Sequence, residues 1–471
     1  MDPYNPVVSI HLGQAGCQLG ATLWDLLRKE HRIQPNGKFE TSSSPTEHFG
    51  PLATVNTKID TFFGECANGR YRPRAIFADL DAYTIETIKE SPSGESYHPN
   101  QLIAGKEDAA GNFASGYYLR GHEFIGSLLE RIDKMVEASG TIQGFMMTRS
   151  LGGGTGSGLS SLLLQILQEK YPKTGKITFD ILPSLSVPET NVEPYNVVLA
   201  SHNSIDTTDL SILFEQDAIL RMCSELLEIE LPTTGHCDAI IAQVISTLLS
   251  PLHLEGTVNR SLAELRMNLV PYKRMHFPVA SYAPFPSLNK TPGNTNMKHL
   301  LRHILHQSYQ TVDCNPINEN YMALSTIFRG ADANLDGLHR IERLLPRLRI
   351  VHPRFKFVDW VPKNYAAGVS SFRPVALDRS GIRTTNMTAA GLINSPAVVS
   401  AWKGFLAKAR AMKAGKLFVN WYESEGLLES ELNDAMGNLH GLMEEYKEVS
   451  RGVDVSRVAS RRTCSVFPFA P

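Results

Sequence analysis

Five glycines lie within seven residues at 152–158, in the sequence GGGTGSG, with Thr155 and Ser157 between them. Glycine lets backbone N–H groups turn toward an anion without a clash from Cβ, and both hydroxyls can donate to phosphate oxygens. No lysine follows, so the segment differs from the P-loop pattern GxxxxGK[ST]. A flexible linker is the alternative, but linkers rarely separate a strand pattern from a helix pattern. The segment is predicted to bind phosphate.

The elements around this loop must hold it at the edge of a sheet. Residues 144–150 (GFMMTRS) are typical of a buried strand, and leucines recur at helical spacing after the loop. The N-terminus of that helix would add partial positive charge. Upstream, an apolar run at 7–12 leads through a glycine turn into a helical pattern at 17–30. Further strand patterns at 75–80 and 177–183 predict a parallel, doubly wound sheet.

The second half of the chain carries another set of alternating patterns. Strand patterns occur at 275–283, 321–328 and 355–360. We predict an α/β protein. Its first half would hold an N-terminal Rossmann-like nucleotide-binding domain with a parallel sheet at 1–215 and a core helix connecting two domains at 216–250. An intermediate α/β domain at 251–394, a C-terminal helical hairpin at 395–450 and a flexible basic tail at 451–471 would follow. A dinucleotide oxidoreductase is disfavoured because GxGxxG does not follow the first strand.

The composition excludes several classes of protein. The chain has 471 residues, of which 42% are hydrophobic and 20% charged, and a formal net charge of -2. These values argue against disorder and give no electrostatic sign of a nucleic-acid or membrane partner. Six cysteines without a CxxC pair form neither a disulfide framework nor a zinc pattern. Because the start is polar and no apolar run has membrane length, we expect a cytoplasmic protein that binds neither nucleic acid nor membrane.

The glycine loop and several other blocks together resemble the tubulin family and its bacterial relatives. The blocks include SIHLGQAGCQLG, YRPRAIFADLD, HPNQLIAGKEDAAGNFASGYY, NVEPYN, NLVPYKRMHFPVASYAP and LFVNWYESEGL. The segment 369–401 is similar in length to an insertion of α-tubulins, and Glu264 matches an α-tubulin glutamate. The resemblance implies a tubulin/FtsZ-like fold, GTP and Mg²⁺ as cofactors, and a place in the cytoskeleton.

This resemblance assigns phosphate, ribose and metal roles to residues of the first half. Asp81, where α-tubulins have a glutamate, would help to hold Mg²⁺, and Glu193 would bind ribose hydroxyls. Glu189 stands where a threonine is usual, and Gly111 where an asparagine is usual. The other expected phosphate contacts are Gln14, Asp108, Ala109, Ser150, Gly153, Gly154, Thr155 and Gly156.

The residues expected to surround the base depart furthest from the family pattern. Family members read guanine with two asparagines and stack an aromatic ring on it, and the matching positions are Gln216, Asp238 and Thr234. The Gln216 amide can donate and accept, and the Asp238 carboxylate can accept from the base. Thr234 cannot stack. We therefore expect a guanine nucleotide that binds differently or more weakly.

The resemblance also implies an active site shared between subunits. In α-tubulins the glutamate that matches Glu264 polarises the water that attacks GTP on the adjacent β-tubulin. Here Ser261 replaces an aspartate and Arg260 lies beside it, an exchange expected to slow catalysis. The implied function is thus an α-tubulin-like subunit that pairs with β-tubulin and completes a GTPase in trans.

One alternative from another class stays open: a structural tubulin of a specialised array, with fixed nucleotide and weak or no GTPase. The tail at 451–471 is basic and partly apolar where α-tubulins are acidic. It suggests a specialised partner contact, and microtubule-associated proteins are further candidate partners.

Overall fold

A computed structural model of the chain describes residues 5–39, 58–66, 68–254, 256–287, 296–316, 319–330, 333, 338–339, 356–361, 364–377 and 380–450. The tail at 451–471 lies outside these ranges, so its expected partner contact stays a prediction.

The strands are β1 Val7–Leu12, β2 Phe63–Glu65, β3 Tyr71–Pro73, β4 Ala75–Asp79, β5 Leu102–Ala104, β6 Gly144–Ser150, β7 Gly175–Leu182, β8 Leu210–Glu215, β9 Val279–Ala283, β10 Asn320–Tyr321, β11 Ala323–Gly330, β12 Lys356–Phe357, β13 Tyr365–Ser370 and β14 Met387–Asn394. The helices are α1 Gly13–Glu30, α2 Ala82–Glu90, α3 Arg120–Ser139, α4 Ser160–Lys170, α5 Glu193–Thr207, α6 Gln216–Arg221, α7 Thr234–His253, α8 Leu262–Leu269, α9 Met297–Leu305, α10 Val399–Ala414, α11 Val419–Ser424 and α12 Glu429–Ser450.

Ten strands form one sheet, in the order β13-β11-β14-β9-β8-β7-β6-β1-β4-β5. The pairs from β5 to β9 are all parallel, whereas β14 runs antiparallel to both β9 and β11. Strands β1, β4 and β8 are buried along their whole length, as expected when helices cover both faces of a parallel sheet. The predicted α/β fold with a parallel N-terminal sheet is confirmed.

The sheet continues across the boundary expected between the two α/β domains. Strands β8 and β9 pair at Leu213 and Val279. Thr311 extends this join, because its carbonyl accepts from Glu215 N at 2.8 Å and its N–H donates to Ala280 O at 2.9 Å. Main-chain hydrogen bonds thus link the two halves, and the exact domain boundaries stay predictions.

Several elements differ in extent from the sequence patterns. Helix α1 begins at Gly13, so the glycine turn forms its first turn. The segment 216–250 is not one helix: α6 ends in a single π-turn, Met222–Leu226, and α7 begins only at Thr234. Proline and threonines at 232–234 favour a cap over a continuous helix. The pattern at 355–360 yields only the short strand β12.

The C-terminal helices cover one face of the molecule. Both α10 and α12 pack against α5, and Arg274 Nε reaches Glu445 Oε2 of α12 at 3.0 Å. No helix within the described ranges is both long and apolar enough to span a bilayer.

Candidate functional site

A cavity of about 380 Å³ opens where four parallel strands end. Its walls come from the residues that end or directly follow β1, β6, β7 and β8, which is the edge where parallel α/β sheets bind ligands. Seven of the predicted ligand residues line it: Gln14, Ser150, Gly153, Glu189, Glu193, Gln216 and Asp238. The fold therefore brings residues from 14 to 238 to one place.

The glycine loop forms the floor of this cavity. A Cβ on Gly153 would meet nothing within 4 Å, whereas a Cβ on Gly156 would lie 2.5 Å from Ser150 O. On Gly154 it would lie 2.8 Å from both Ala109 Cβ and Asn112 N. Gly153 thus faces ligand space, while the later glycines allow backbone to pack on backbone. Gly154, Thr155 and Gly156 do not line the cavity but lie directly behind it, so their predicted phosphate contacts stay predictions.

A second loop, which begins at Asp108, lies against the first. Asp108 Oδ2 accepts from Ala110 N at 3.0 Å, and both Ala110 and Gly111 have positive φ, 50° and 72°. Glycine adopts this conformation without strain, and asparagine tolerates it better than most residues. Gly111 lines the cavity, whereas Asp108 and Ala109 do not. The glycine at 111 therefore preserves the loop's backbone although it removes an amide side chain.

Asn196 joins the two loops, a role that the sequence did not reveal. Its buried Nδ2 donates at 2.7 Å to both Gly111 O and Gly152 O. Its Oδ1 accepts from Phe113 N at 3.1 Å and from Tyr422 Oη at 2.6 Å. The NVEPYN block contains this residue, but only the contacts across the fold indicate what it does.

Three carboxylates gather beside the second loop. Burial, together with the negative charges of Asp108 and Asp81, raises the pKa of Asp79 to about 6. Asp81 is exposed, and its Oδ1 caps α2 by accepting from Tyr83 N at 3.1 Å. Within the described ranges no three His, Cys, Asp or Glu side chains are arranged to hold a metal ion alone. Mg²⁺ usually takes one or two carboxylates besides phosphates and water, so this donor set fits that ion once a nucleotide is present.

The expected ribose residue is held by its own loop. Glu193 Oε1 accepts from Glu189 N at 3.0 Å and from Thr190 N at 3.1 Å. Burial raises the pKa of Glu193, although these two hydrogen bonds oppose the shift. Thr190, which sequence reasoning did not single out, also lines the cavity, and the Glu189 side chain is exposed.

The far end of the cavity is mostly apolar. Ile219, Leu220 and Ile241 line it together with Gln216 and Asp238. Burial raises the pKa of Asp238 to about 7. The aromatic ring of Phe214 lies in the same wall. Cys237 also lines this end, and no sequence pattern had indicated it.

Glu264 lies at the opposite end of the strands from the cavity. Leu262 at the start of α8 donates from its N–H to Gln143 Oε1 at 3.1 Å, directly before β6 begins. Ser150 at the other end of β6 lines the cavity. Seven residues of strand, rising roughly 3.3 Å each, separate the two sites by about 20 Å. Glu264 therefore cannot reach the cavity of its own chain.

Local hydrogen bonds fix the start of α8. Ser261 Oγ caps the helix by accepting from Glu264 N at 3.2 Å, and Glu264 Oε2 accepts from Arg260 N at 2.8 Å. Serine and aspartate cap helices about equally well. The exchange to Ser261 therefore changes the local charge but keeps the cap that orients Glu264.

Comparisons with known proteins agree with this architecture. The family model described as the tubulin/FtsZ family GTPase domain matches residues 6–224, and that of the tubulin C-terminal domain matches 273–406. The tubulin alpha-1 chains of Saccharomyces cerevisiae and Schizosaccharomyces pombe are each 36% identical, covering 94% of this chain and 97% or 96% of the relative. The tubulin alpha-2 chain of Eleusine indica is 35% identical over 95% of this chain and 98% of its own length.

Proposed function

This chain belongs to the tubulin family, and from that premise we propose that it pairs with β-tubulin and supplies Glu264 for hydrolysis of GTP on the adjacent β subunit. The family supports an α-tubulin-like, GTP-binding constituent of the cytoskeleton. The heterodimer, the division of the active site, and contacts with microtubule-associated proteins are the proposed part.

One observation carries the proposal: the cavity and Glu264 occupy opposite edges of one sheet. In a head-to-tail polymer, the edge that carries Glu264 meets the nucleotide edge of the next subunit. Such a contact completes a site that neither chain holds alone. The exposed Arg260, Ala263 and Met267 on the Glu264 side are open to a partner in the free chain.

Within that shared site, Glu264 would orient the attacking water. Its Oε2 is engaged with Arg260 N, which fixes the carboxylate close to the start of α8. A fixed carboxylate can accept a hydrogen bond from water and hold it in line with the γ-phosphate. Because Ser261 keeps the helix cap, the proposal does not require the aspartate of the family pattern.

Residues of the cavity would hold this chain's own nucleotide. The N–H groups around Gly111 and Gly153, which line the cavity, would donate to the phosphates, and Glu193 would accept from ribose hydroxyls. Asp81, with Asp79 and Asp108 behind it, would hold Mg²⁺, which would neutralise phosphate charge. Gln216 and Asp238 would read the base edge.

The second candidate is a structural subunit with fixed nucleotide and little turnover. The observation behind it is the departure of the base end from the family pattern, because Thr234 offers no ring and Asp238 is a half-buried carboxyl whose pKa is raised to about 7. These departures should weaken the binding of this chain's own nucleotide, but they leave Glu264 intact, so they do not argue against hydrolysis on the adjacent subunit.

Co-expression with a β-tubulin tests the proposal. We expect a one-to-one heterodimer with two guanine nucleotides, which releases phosphate on assembly, and a loss of about 10²-fold or more in the release rate for Glu264→Gln. Glu431→Gln is the matched control, because Glu431 Oε2 likewise accepts a backbone N–H, from Leu428 at 2.8 Å. No heterodimer would refute the pairing, and equal rates for wild type and Glu264→Gln would favour the structural alternative.

A further inference from the structure

A buried ion pair lies directly behind the glycine loop. Arg149 of β6 and Asp180 of β7 are both fully buried, and neither lines the cavity. Arg149 Nε donates to Asp180 Oδ1 at 2.7 Å, and Arg149 Nη2 donates to Asp180 Oδ2 at 3.2 Å. Burying two charges carries a desolvation penalty that their mutual attraction often only offsets. Two apolar side chains could fill the same space, so packing alone does not account for this pair.

The Arg149 guanidinium also reaches the two helices that follow loops of the cavity. Its Nη1 donates at 2.9 Å to Ser160 Oγ, at the start of α4, and its Nη2 donates at 2.6 Å to Ser204 Oγ in α5. The Ser160 hydroxyl in turn donates to Gly156 O at 2.5 Å. Helix α5 begins with Glu193 at the cavity wall. One guanidinium is thus connected both to the backbone of the glycine loop and to the helix of the expected ribose residue.

The Asp180 carboxylate makes equivalent contacts with the strands. Its Oδ2 accepts from Thr178 Oγ1 of the same strand at 3.0 Å and from Ser211 Oγ of β8 at 2.5 Å. Strand β7 contains Ile181 and Gln216 directly follows β8, and both of these residues line the cavity. The pair therefore contacts β6, β7, β8, α4 and α5, five elements that converge on the cavity.

We propose that Arg149 and Asp180 are positioning residues for the nucleotide, which hold the glycine loop and α5 at the separation that lets Gly153 and Glu193 contact one ligand together. The hydrogen-bond network stands on the distances given above. Its effect on a nucleotide rests on the proposed function, since that effect requires the cavity to hold a guanine nucleotide. Because neither residue lines the cavity, both act through the backbone that they fix.

The shape of the arginine side chain is what allows these contacts. Its planar guanidinium presents its N–H donors in a fixed fork, and Nε, Nη1 and Nη2 of Arg149 together make four hydrogen bonds. Arg149→Lys would keep the positive charge beside Asp180, but lysine carries its donors on one nitrogen, which cannot reach Asp180, Ser160 and Ser204 in this geometry. The substitution therefore keeps the ion pair and loosens the two helices.

A second buried ion pair provides a matched control away from the cavity. Arg329 Nη1 donates to Glu30 Oε1 at 2.7 Å and to Ser246 Oγ at 3.0 Å, and all three side chains are buried. None of them lines the cavity. Glu30 ends α1, sixteen residues after Gln14, which puts it roughly 24 Å along the helix from the cavity wall. Arg329→Lys therefore makes the same chemical change far from the expected nucleotide.

The test follows nucleotide release from this chain within the full-length heterodimer with β-tubulin. Each heterodimer is loaded with radioactive azido-GTP and then given excess unlabelled GTP. At intervals, ultraviolet light crosslinks the remaining probe to the chain that holds it, and the label on this chain is measured after the chains are separated. We expect Arg149→Lys to lose its label at least about tenfold faster than wild type, the value of one hydrogen bond to a charged group. Arg329→Lys should release at the wild-type rate, although thermal unfolding should show that both variants are destabilised.

The outcomes separate positioning from stability. If Arg149→Lys and Arg329→Lys release label equally fast, the pair contributes only to stability and the proposal is wrong. Should Arg149→Lys fail to assemble, Ser160→Ala decides, because it removes the hydroxyl that connects Arg149 to Gly156 O, and Ser246→Ala is its control. Faster release from Ser160→Ala alone supports positioning, and the wild-type rate refutes it. A wild-type heterodimer without label on this chain would instead overturn the proposed function.

Discussion

The affinity of this chain for guanine nucleotide should rise with pH, because of Asp238. Burial raises the pKa of this carboxyl to about 7. The guanine edge offers an N1–H and an amino group, both donors, so only the ionised carboxylate can accept from both. Below its pKa, Asp238 must lose a proton before it binds, and the cost appears as weaker affinity.

The size of the effect follows from the fraction that is ionised. With a pKa of about 7, roughly a tenth of Asp238 is ionised at pH 6 and roughly nine tenths at pH 8. Affinity should therefore increase about tenfold between these values, or roughly 1.4 kcal/mol, and level off above pH 8. Asp238→Asn should bind with little dependence on pH, because an amide oxygen accepts at every pH in this range.

Calorimetric titration with GDP between pH 6 and pH 8 measures this slope. GDP avoids ionisation of a γ-phosphate, but its terminal phosphate titrates, so the slope of Asp238→Asn serves as the baseline. Glu193→Gln controls for another carboxyl that lines the cavity and whose pKa burial raises, and it should keep the Asp238 slope. An unchanged slope in Asp238→Asn would refute the assignment. A fall of affinity with rising pH would mean that the neutral carboxyl donates to the ligand.

Two further predictions concern the loops. Gly156→Ala should abolish nucleotide retention because its Cβ would lie 2.5 Å from a backbone oxygen, whereas Gly126→Ala, exposed on α3 with nothing within 4 Å of the added Cβ, should retain nucleotide. Nucleotide content after gel filtration measures both, and equal retention would contradict the packing argument. Ser261→Ala should lower the free energy of unfolding by about 1 kcal/mol through loss of a helix cap, and Ser261→Asp should keep the wild-type value. Chemical denaturation measures this free energy. An unchanged value for Ser261→Ala would mean that the cap contributes nothing to stability.

Local patterns predicted the elements better than the contacts between them. The loop at 152–158 was recognisable because glycines separate a strand pattern from a helix pattern, and its position at the sheet edge follows from that order. The break between α6 and α7 was missed because apolar residues continue on both sides of it. Propensity alone could not indicate where the chain leaves the helix.

The sequence did not indicate the residues whose role depends on partners far away along the chain. Asn196 bonds to Gly111, 85 positions away, and looks in sequence like any polar residue of a helix. Asp79 ends a buried strand, and its pKa is raised by burial and by the charge of Asp108, which only the fold brings near it. Motif resemblance identified Glu264, but only the arrangement of the sheet shows how far Glu264 lies from the cavity.

The hydrogen bonds of Asn196 also have a mechanical consequence. Its amide nitrogen donates to both loops beneath the expected phosphates, and its amide oxygen accepts from Tyr422 Oη on α11. Asn112, in the second loop, also donates to Trp421 O at 3.3 Å. Trp421 is partly exposed on the outer layer of helices. A partner protein that binds α11 and displaces it would therefore also displace the two loops that form the floor of the nucleotide cavity. Binding at the outer surface of the subunit is thus coupled to the shape of the cavity.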